Sequence, residues 1–213
     1  MAAPEPATPE PPDHATVPVP SGYTLVLPPA WSRIPLRRGT EQAITRILDR
    51  SFAGLPRDKV AALRRELHLR LQDLARRASE SSGLDLYVPT EQMHGVTATA
   101  SFVVAEMSLF SAQPVDPSMP VARLVADSEH ATAVDIAGTA GTRTEHVAAA
   151  DVEQGVEYGS RRVDYVLPVP ADPDRWVVVS FSTLGAGDPT DEFAQLLVEL
   201  FDAIMTTFRW RRP

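Results

Sequence analysis

The chain has no cysteine. That excludes disulfides, cysteine-held zinc, cysteine-ligated iron–sulfur clusters and a thiol nucleophile. It has a single lysine, Lys59, against nineteen arginines, and abundant alanine, which points to a GC-rich genome and says nothing of function. No apolar run approaches the ~20 residues that a membrane helix needs. The first residues hold neither a basic cluster nor an apolar stretch, so no secretory signal is expected. These absences predict a cytoplasmic protein with no membrane partner. There is no internal repeat.

The 213 residues suffice for one domain. At that size folding buries roughly 70% of the surface of the unfolded chain, so the core needs no staple. The net charge of −8 is unevenly spread. Residues 1–21 hold three acids and no base, residues 33–80 hold twelve bases against six acids, and residues 81–213 hold eight bases against nineteen acids. A basic segment on an acidic body can steer an acidic partner, or its charges can pair with those of its own body.

Residues 1–21 contain seven prolines. Proline fixes φ and lacks the N–H, so this stretch is expected to be an extended, disordered tail ahead of one domain over 22–213. Residues 22–28 alternate as a strand, and Trp31 is expected at one end of the core. Thr40 reads as the N-cap of a helix to about residue 53, with Ile44, Ile47, Leu48 and Phe52 on one face. Pro56 suits the first turn of a second helix. There Val60, Leu63, Leu67, Leu71, Leu74 and Ala78 repeat as a packing seam, with Ser81-Ser82-Gly83 as the stop.

Beyond residue 83 strands dominate. They are expected at 84–88, 96–109, 130–137, 142–148 and 156–169, with a short helical piece at 120–126. The run Gly138-Thr139-Ala140-Gly141 signals a hairpin. Val163, Tyr165 and Leu167 fall on one side of their strand. Residues 174–184 (DRWVVVSFSTL) read as a strand buried on both faces. A last helix is expected over 190–210, capped by Asp188 with Pro189 in its first turn, its stripe formed by Phe193, Leu196, Leu197, Leu200, Phe201, Ile204 and Phe208. Strands in consecutive runs, not alternating with helices, predict an α+β fold with a central antiparallel sheet flanked by helices. The helical pair at 40–82 is an insertion after the first strand.

Motifs that carry chemistry are weak. Gly185-Ala186-Gly187 follows a strand and precedes a helix, as a dinucleotide loop does. The third glycine position is Thr190, and Asp188 would repel a phosphate, so a capped turn explains these residues. His14, His68, His94, His130 and His146 form no close ligand pair; His130 and His146 could be hairpin neighbours, but two ligands rarely hold zinc. Ser180 and Ser182 lie inside a strand, with no nucleophile elbow. Glu91, Glu106, Asp135 and Glu145 are acids whose convergence a sequence cannot show. Arg57, Arg64, Arg65, Arg70, Arg76 and Arg77 lie mostly off the helical seam and are the candidate partner-binding residues. Their helix has no aromatic platform for bases, and the chain is acidic, so the target expected is an acidic protein surface and not nucleic acid.

Three pieces carry a family resemblance: GYTLVLPPAW (22–31), RVDYVLPVP (162–170) and WVVVSFSTLGAGDPTDEFAQLLVELFDAIMTTFRW (176–210). Together they resemble the PsbP-like group, which takes in the photosystem protein PsbP, Mog-type Ran-binding proteins, DcrB-like effector chaperones and LpqN-type lipoproteins. They are most similar to its cytoplasmic actinobacterial branch. The likeness covers about a third of the chain. It implies an antiparallel sheet between helices, a binding or adaptor role without cofactor or catalysis, and a protein partner such as a secreted effector or toxin. The chain departs from the group in its helical pair and in lacking a lipobox. Two other readings stand beside this one. One is a small-molecule binder or enzyme with a pocket at Glu91, His94 or His130. The other is a homo-oligomer joined along the Val60–Ala78 seam.

Overall fold

The computed structural model describes residues 18–91, 98–108, 131–150 and 158–213. In chain order the elements are β1 (Gly22–Thr24), β2 (Trp31–Pro35), α1 (Thr40–Ser51), α2 (Arg57–Glu80), β3 (Gly83–Pro89), β4 (Ala100–Ser108), β5 (Ala131–Ile136), β6 (Thr139–Ala148), β7 (Ser160–Val169), β8 (Asp172–Thr183), α3 (Glu192–Thr206) and β9 (Arg209–Arg211). The protein is a mixed α+β structure. Seven strands form one sheet in the order β2-β3-β4-β8-β7-β6-β5, and every neighbouring pair is antiparallel. β1 and β9 form a separate antiparallel pair.

Alternation along the strands divides the core between the two sheet faces. On one face Phe102, Val104, Val163, Tyr165, Leu167, Val179 and Phe181 pack under α3, whose Leu197, Val198, Phe201, Ile204 and Met205 are buried. On the other face Ile34, Leu86 and Val88 pack under Ala43, Ile44, Ile47 and Leu48 of α1 and Ala75 of α2. The helical pair therefore lies on its own sheet, at the β2–β3 end.

Several expectations needed correction. The strand expected at 22–28 is only three residues long and pairs with β9, not with the large sheet. Leu25 and Leu27 reach the core without strand pairing. The helical pair thus follows a second strand, β2, in which Trp31 is buried. The N-cap of α1 is Gly39, in the left-handed region at φ 82°, while the Thr40 hydroxyl turns back to the Pro35 carbonyl at 2.7 Å. The hairpin turn is Ala137-Gly138, both at positive φ as a two-residue type I′ turn requires. Gly141 lies inside β6, where a side chain would strike Leu167 and the Val166 carbonyl.

The last helix differs most. Its cap is Asp191, which accepts from the Ala194 N–H, and it ends at Thr206. Residues 209–211 extend because β1 pairs with them. Leu196 faces outward at 60% exposure, whereas Val198 and Met205 are buried. The helix is apolar around more than half its circumference, so the sequence left the centre of its buried face one position in doubt. In β8, Val177, Val179 and Phe181 are buried, but Val178, Ser180 and Ser182 on the other face are only half-buried. The expected helical piece at 120–126 lies outside the described residues.

Candidate binding site on the helical pair

Helix α2 is 24 residues long, and Ala75 is its only fully buried residue among those described. It packs against α1 and β3. The expected seam is half covered: Leu67, Leu71 and Ala78 pack into the core, whereas Leu63 and Leu74 stay exposed. Where α1 turns into α2, Phe52, Leu55, Val60, Ala61 and Leu69 line a groove of about 920 Å³. Leu55 and Leu69 are 51% and 59% exposed. Arg64, Arg65, His68 and Asp49 complete the wall.

The six arginines singled out by the sequence do not form one free basic face. Arg64 holds Asp49 at 2.7 Å, Arg70 holds Glu66, and Arg76 and Arg77 share Asp73, with Arg76 also bound to Glu80. These pairs are surface-exposed and worth little in stability, yet they cancel charge locally. Asp73 is held below its usual carboxylate range chiefly by the Arg76 hydrogen bond. Arg65 is exposed and has no carboxylate partner among the described residues. Arg57 opens the helix. Of the six, Arg64 and Arg65 line the groove. Leu55 and Leu69 escaped sequence reasoning because Leu55 lies in the turn between the helices and Leu69 falls off the seam of α2.

A second groove of about 770 Å³ lies between the C-terminal half of α2 and the sheet, floored by Val103, Ala105, Met107 and Val178. Its polar end is Arg162, bound to Asp164 at 3.0 Å, with Ser180 donating to the same carboxylate. Ser180 is thus a strand hydroxyl tied to an acid. The four acids weighed as a catalytic set do not converge. Glu106 pairs with Arg37 and Arg175, Asp135 accepts from the Gly138 N–H in the hairpin turn, and Glu91 is exposed. His94 and His130 lie outside the described residues. Gly185-Ala186-Gly187 forms a turn closed by Asp191, which accepts from the Ala186 N–H, and Asp188 binds Thr190. Among the described residues no three His, Asp or Glu side chains gather as a metal site, and no helix is long and apolar enough to cross a membrane.

Glu145 belongs to a half-buried network. Arg143 bridges it to Asp202 of α3, Arg161 binds its other oxygen, and the Tyr165 hydroxyl donates to Asp202 at 2.8 Å. Burial pulls the Glu145 carboxyl upward, but the two arginines outweigh it and hold the group below its ordinary range. A further cluster had no sequence signal. Buried Asp85 accepts from the Tyr23 hydroxyl and from Arg33 Nε at 2.6 Å, with the Tyr87 hydroxyl 3.0 Å from that of Tyr23. Tyr23 stacks on Phe208, so the cluster fastens the β1–β9 pair to the sheet. Burial pushes the Tyr87 phenol up to about 12 and the Tyr23 phenol higher still.

These features define a two-faced α+β domain whose helical pair carries a basic, apolar groove. No protein-family model matches the chain, and no curated protein is significantly similar to it.

Proposed function

We propose that the chain is a protein-binding module of the adaptor or chaperone type, with a PsbP-like arrangement, that acts in the cytoplasm and takes its partner on the α1–α2 hairpin. The carrying observation is the elbow groove, where Leu55 and Leu69 stand half-exposed beside Arg65. Two leucines on one solvent-facing groove are a cost in water that a partner would relieve. The PsbP-like reading is supported by an opening strand that meets the residues after the last helix, and by a last large-sheet strand that leads into that helix.

The test is affinity capture at low salt, with quantitative mass spectrometry, using the wild type and the double variant Arg65→Glu, Leu69→Asp. One stoichiometric protein should co-purify, be lost from the variant, and wash off at about 1 M salt, where the Debye length falls to roughly 3 Å. A partner set identical for both proteins would refute the site.

A further inference from the structure

We infer that the elbow groove takes an amphipathic α-helix of another protein, with acidic residues flanking an apolar stripe. This sharpens the binding reading above and rests on it.

Charge is the first argument. Among the described residues of the helical pair and its lead-in, Arg38, Arg46, Arg50, Lys59 and Arg65 have no carboxylate within ion-pair distance, against Asp58 without a basic partner and Glu41 held by His68 and Gln72. The pairing that neutralises Arg64, Arg70, Arg76 and Arg77 thus leaves a positive surplus on a molecule of net charge −8. Of these cations Arg65 lines the groove itself, and the surplus on the helical pair draws an acidic ligand toward it.

Shape is the second. The groove is walled by two helices, and Ala61, Arg65 and Leu69 recur every fourth residue along α2. Such a row is a ridge of the kind that receives another helix, and it spans ~12 Å, about two turns. Alanine at 61 lets a backbone approach closely. An extended peptide binds by adding to a strand edge, and helices offer no free backbone groups for that. A helix with apolar residues at i, i+3, i+4 and i+7 needs only the apolar floor that Phe52, Leu55 and Leu69 supply.

A second copy of the chain fits less well. Its own helical pair carries the same cationic surplus and would be repelled. Its acidic helix, α3, shows one large exposed apolar residue on its outer face, Leu196 between Glu192 and Glu199. A single leucine leaves most of the groove unfilled. Nucleic acid lacks the apolar stripe, and among the described residues the groove offers only Phe52 and the His68 ring for stacking.

The probe is a synthetic, dye-labelled peptide of about five helical turns with leucine at i, i+3, i+4 and i+7 and glutamate on the flanks. Binding is followed by fluorescence anisotropy on the full chain at low salt. Controls are a scrambled peptide, a version with lysine for glutamate, and a single-stranded oligonucleotide. The Leu/Glu helix should bind in the micromolar range, at least tenfold (about 1.4 kcal/mol) tighter than every control. Arg65→Glu and Leu69→Asp should each cost about tenfold. Both sites are exposed, so the variants should fold, which circular dichroism verifies, and Leu196→Asp on the far side should leave binding unchanged.

Equal binding of the scrambled peptide, preference for the oligonucleotide, or indifference to both groove variants would overturn the inference. So would a concentration-dependent dimer that Leu69→Asp dissolves. A partner captured through Arg65 and Leu69 that the Leu/Glu peptide fails to displace would sink the helical occupant alone and leave the binding reading intact. Failure of both experiments would remove both.

Discussion

Phe201→Ala should be the most damaging conservative truncation in α3. Phe201 is 1% exposed. Its ring stacks on Phe181 at 4.8 Å, lies 5.4 Å from Phe102 and meets Tyr165 edge-on at 5.7 Å. It is where the helix joins strands β4, β7 and β8. Truncating a buried phenylalanine costs about 3–5 kcal/mol, the transfer loss plus the cavity. The ring contacts add specificity within that range and should not be summed on top of it. For a chain of this length each kcal/mol shifts Tm by roughly 2–4 °C, so a loss of about 4 kcal/mol lowers it by about 8–16 °C. Urea unfolding should show a lower midpoint with an unchanged slope. Leu196→Ala, at a site 60% exposed on the same helix, should stay within about 0.5 kcal/mol of wild type. A cost for Phe201→Ala below about 1.5 kcal/mol, or equal costs for the two variants, would mean that α3 does not dock by this face.

Gly141→Ala should destabilise markedly, because a Cβ there would lie 2.4 Å from the Leu167 side chain and 2.7 Å from the Val166 carbonyl; a melting temperature within error of wild type would refute that packing. At high pH the raised phenols of Tyr23 and Tyr87 stay protonated in the folded chain after they would ionise in the unfolded one. Their contribution is complete below about pH 10; that of Tyr87 is lost as pH rises through about 12 and that of Tyr23 goes on falling above it, so the urea midpoint should fall from pH 10 upward, and less steeply in Tyr87→Phe. Glu145 acts in the opposite sense. Its lowered carboxyl contributes above about pH 4.3 and loses that contribution as pH falls further, so Glu145→Gln should flatten the acid limb of the stability profile.

Much of the architecture was legible because it rests on local periodicity. Ile44, Ile47 and Leu48 fell on the face of α1 that is buried, and Val163, Tyr165 and Leu167 on the buried side of β7. The consecutive strand signals implied the antiparallel sheet that forms. Periodicity failed where the apolar face of a helix is wide, as with Leu196, or where burial depends on a distant segment. Leu63 and Leu74 share a perfect seam with Leu67 and Leu71, yet the sheet extends under only part of α2. The arginines of α2 read as one basic face because a sequence does not show that Asp49, fifteen residues before Arg64, comes round to hold it.

The sequence alone determined where helices α1, α2 and α3 and most strands of the large sheet form and which way most of them face, though not β2 or β9. It also excluded cysteine chemistry outright, since these follow from residue spacing and composition within a few turns or strand lengths. Only the tertiary structure decided the strand order β2-β3-β4-β8-β7-β6-β5 and the pairing of residues 22–24 with 209–211. It likewise set the gathering of Tyr23, Arg33 and Tyr87 on Asp85, and which charges on α2 are spent on neighbours. The strand order, the β1–β9 pairing, the Asp85 cluster and the Arg64–Asp49 pair join groups far apart in the chain, and such contacts depend on how whole elements stack, which no local pattern encodes, whereas the other ion pairs of α2 lie three or four residues apart.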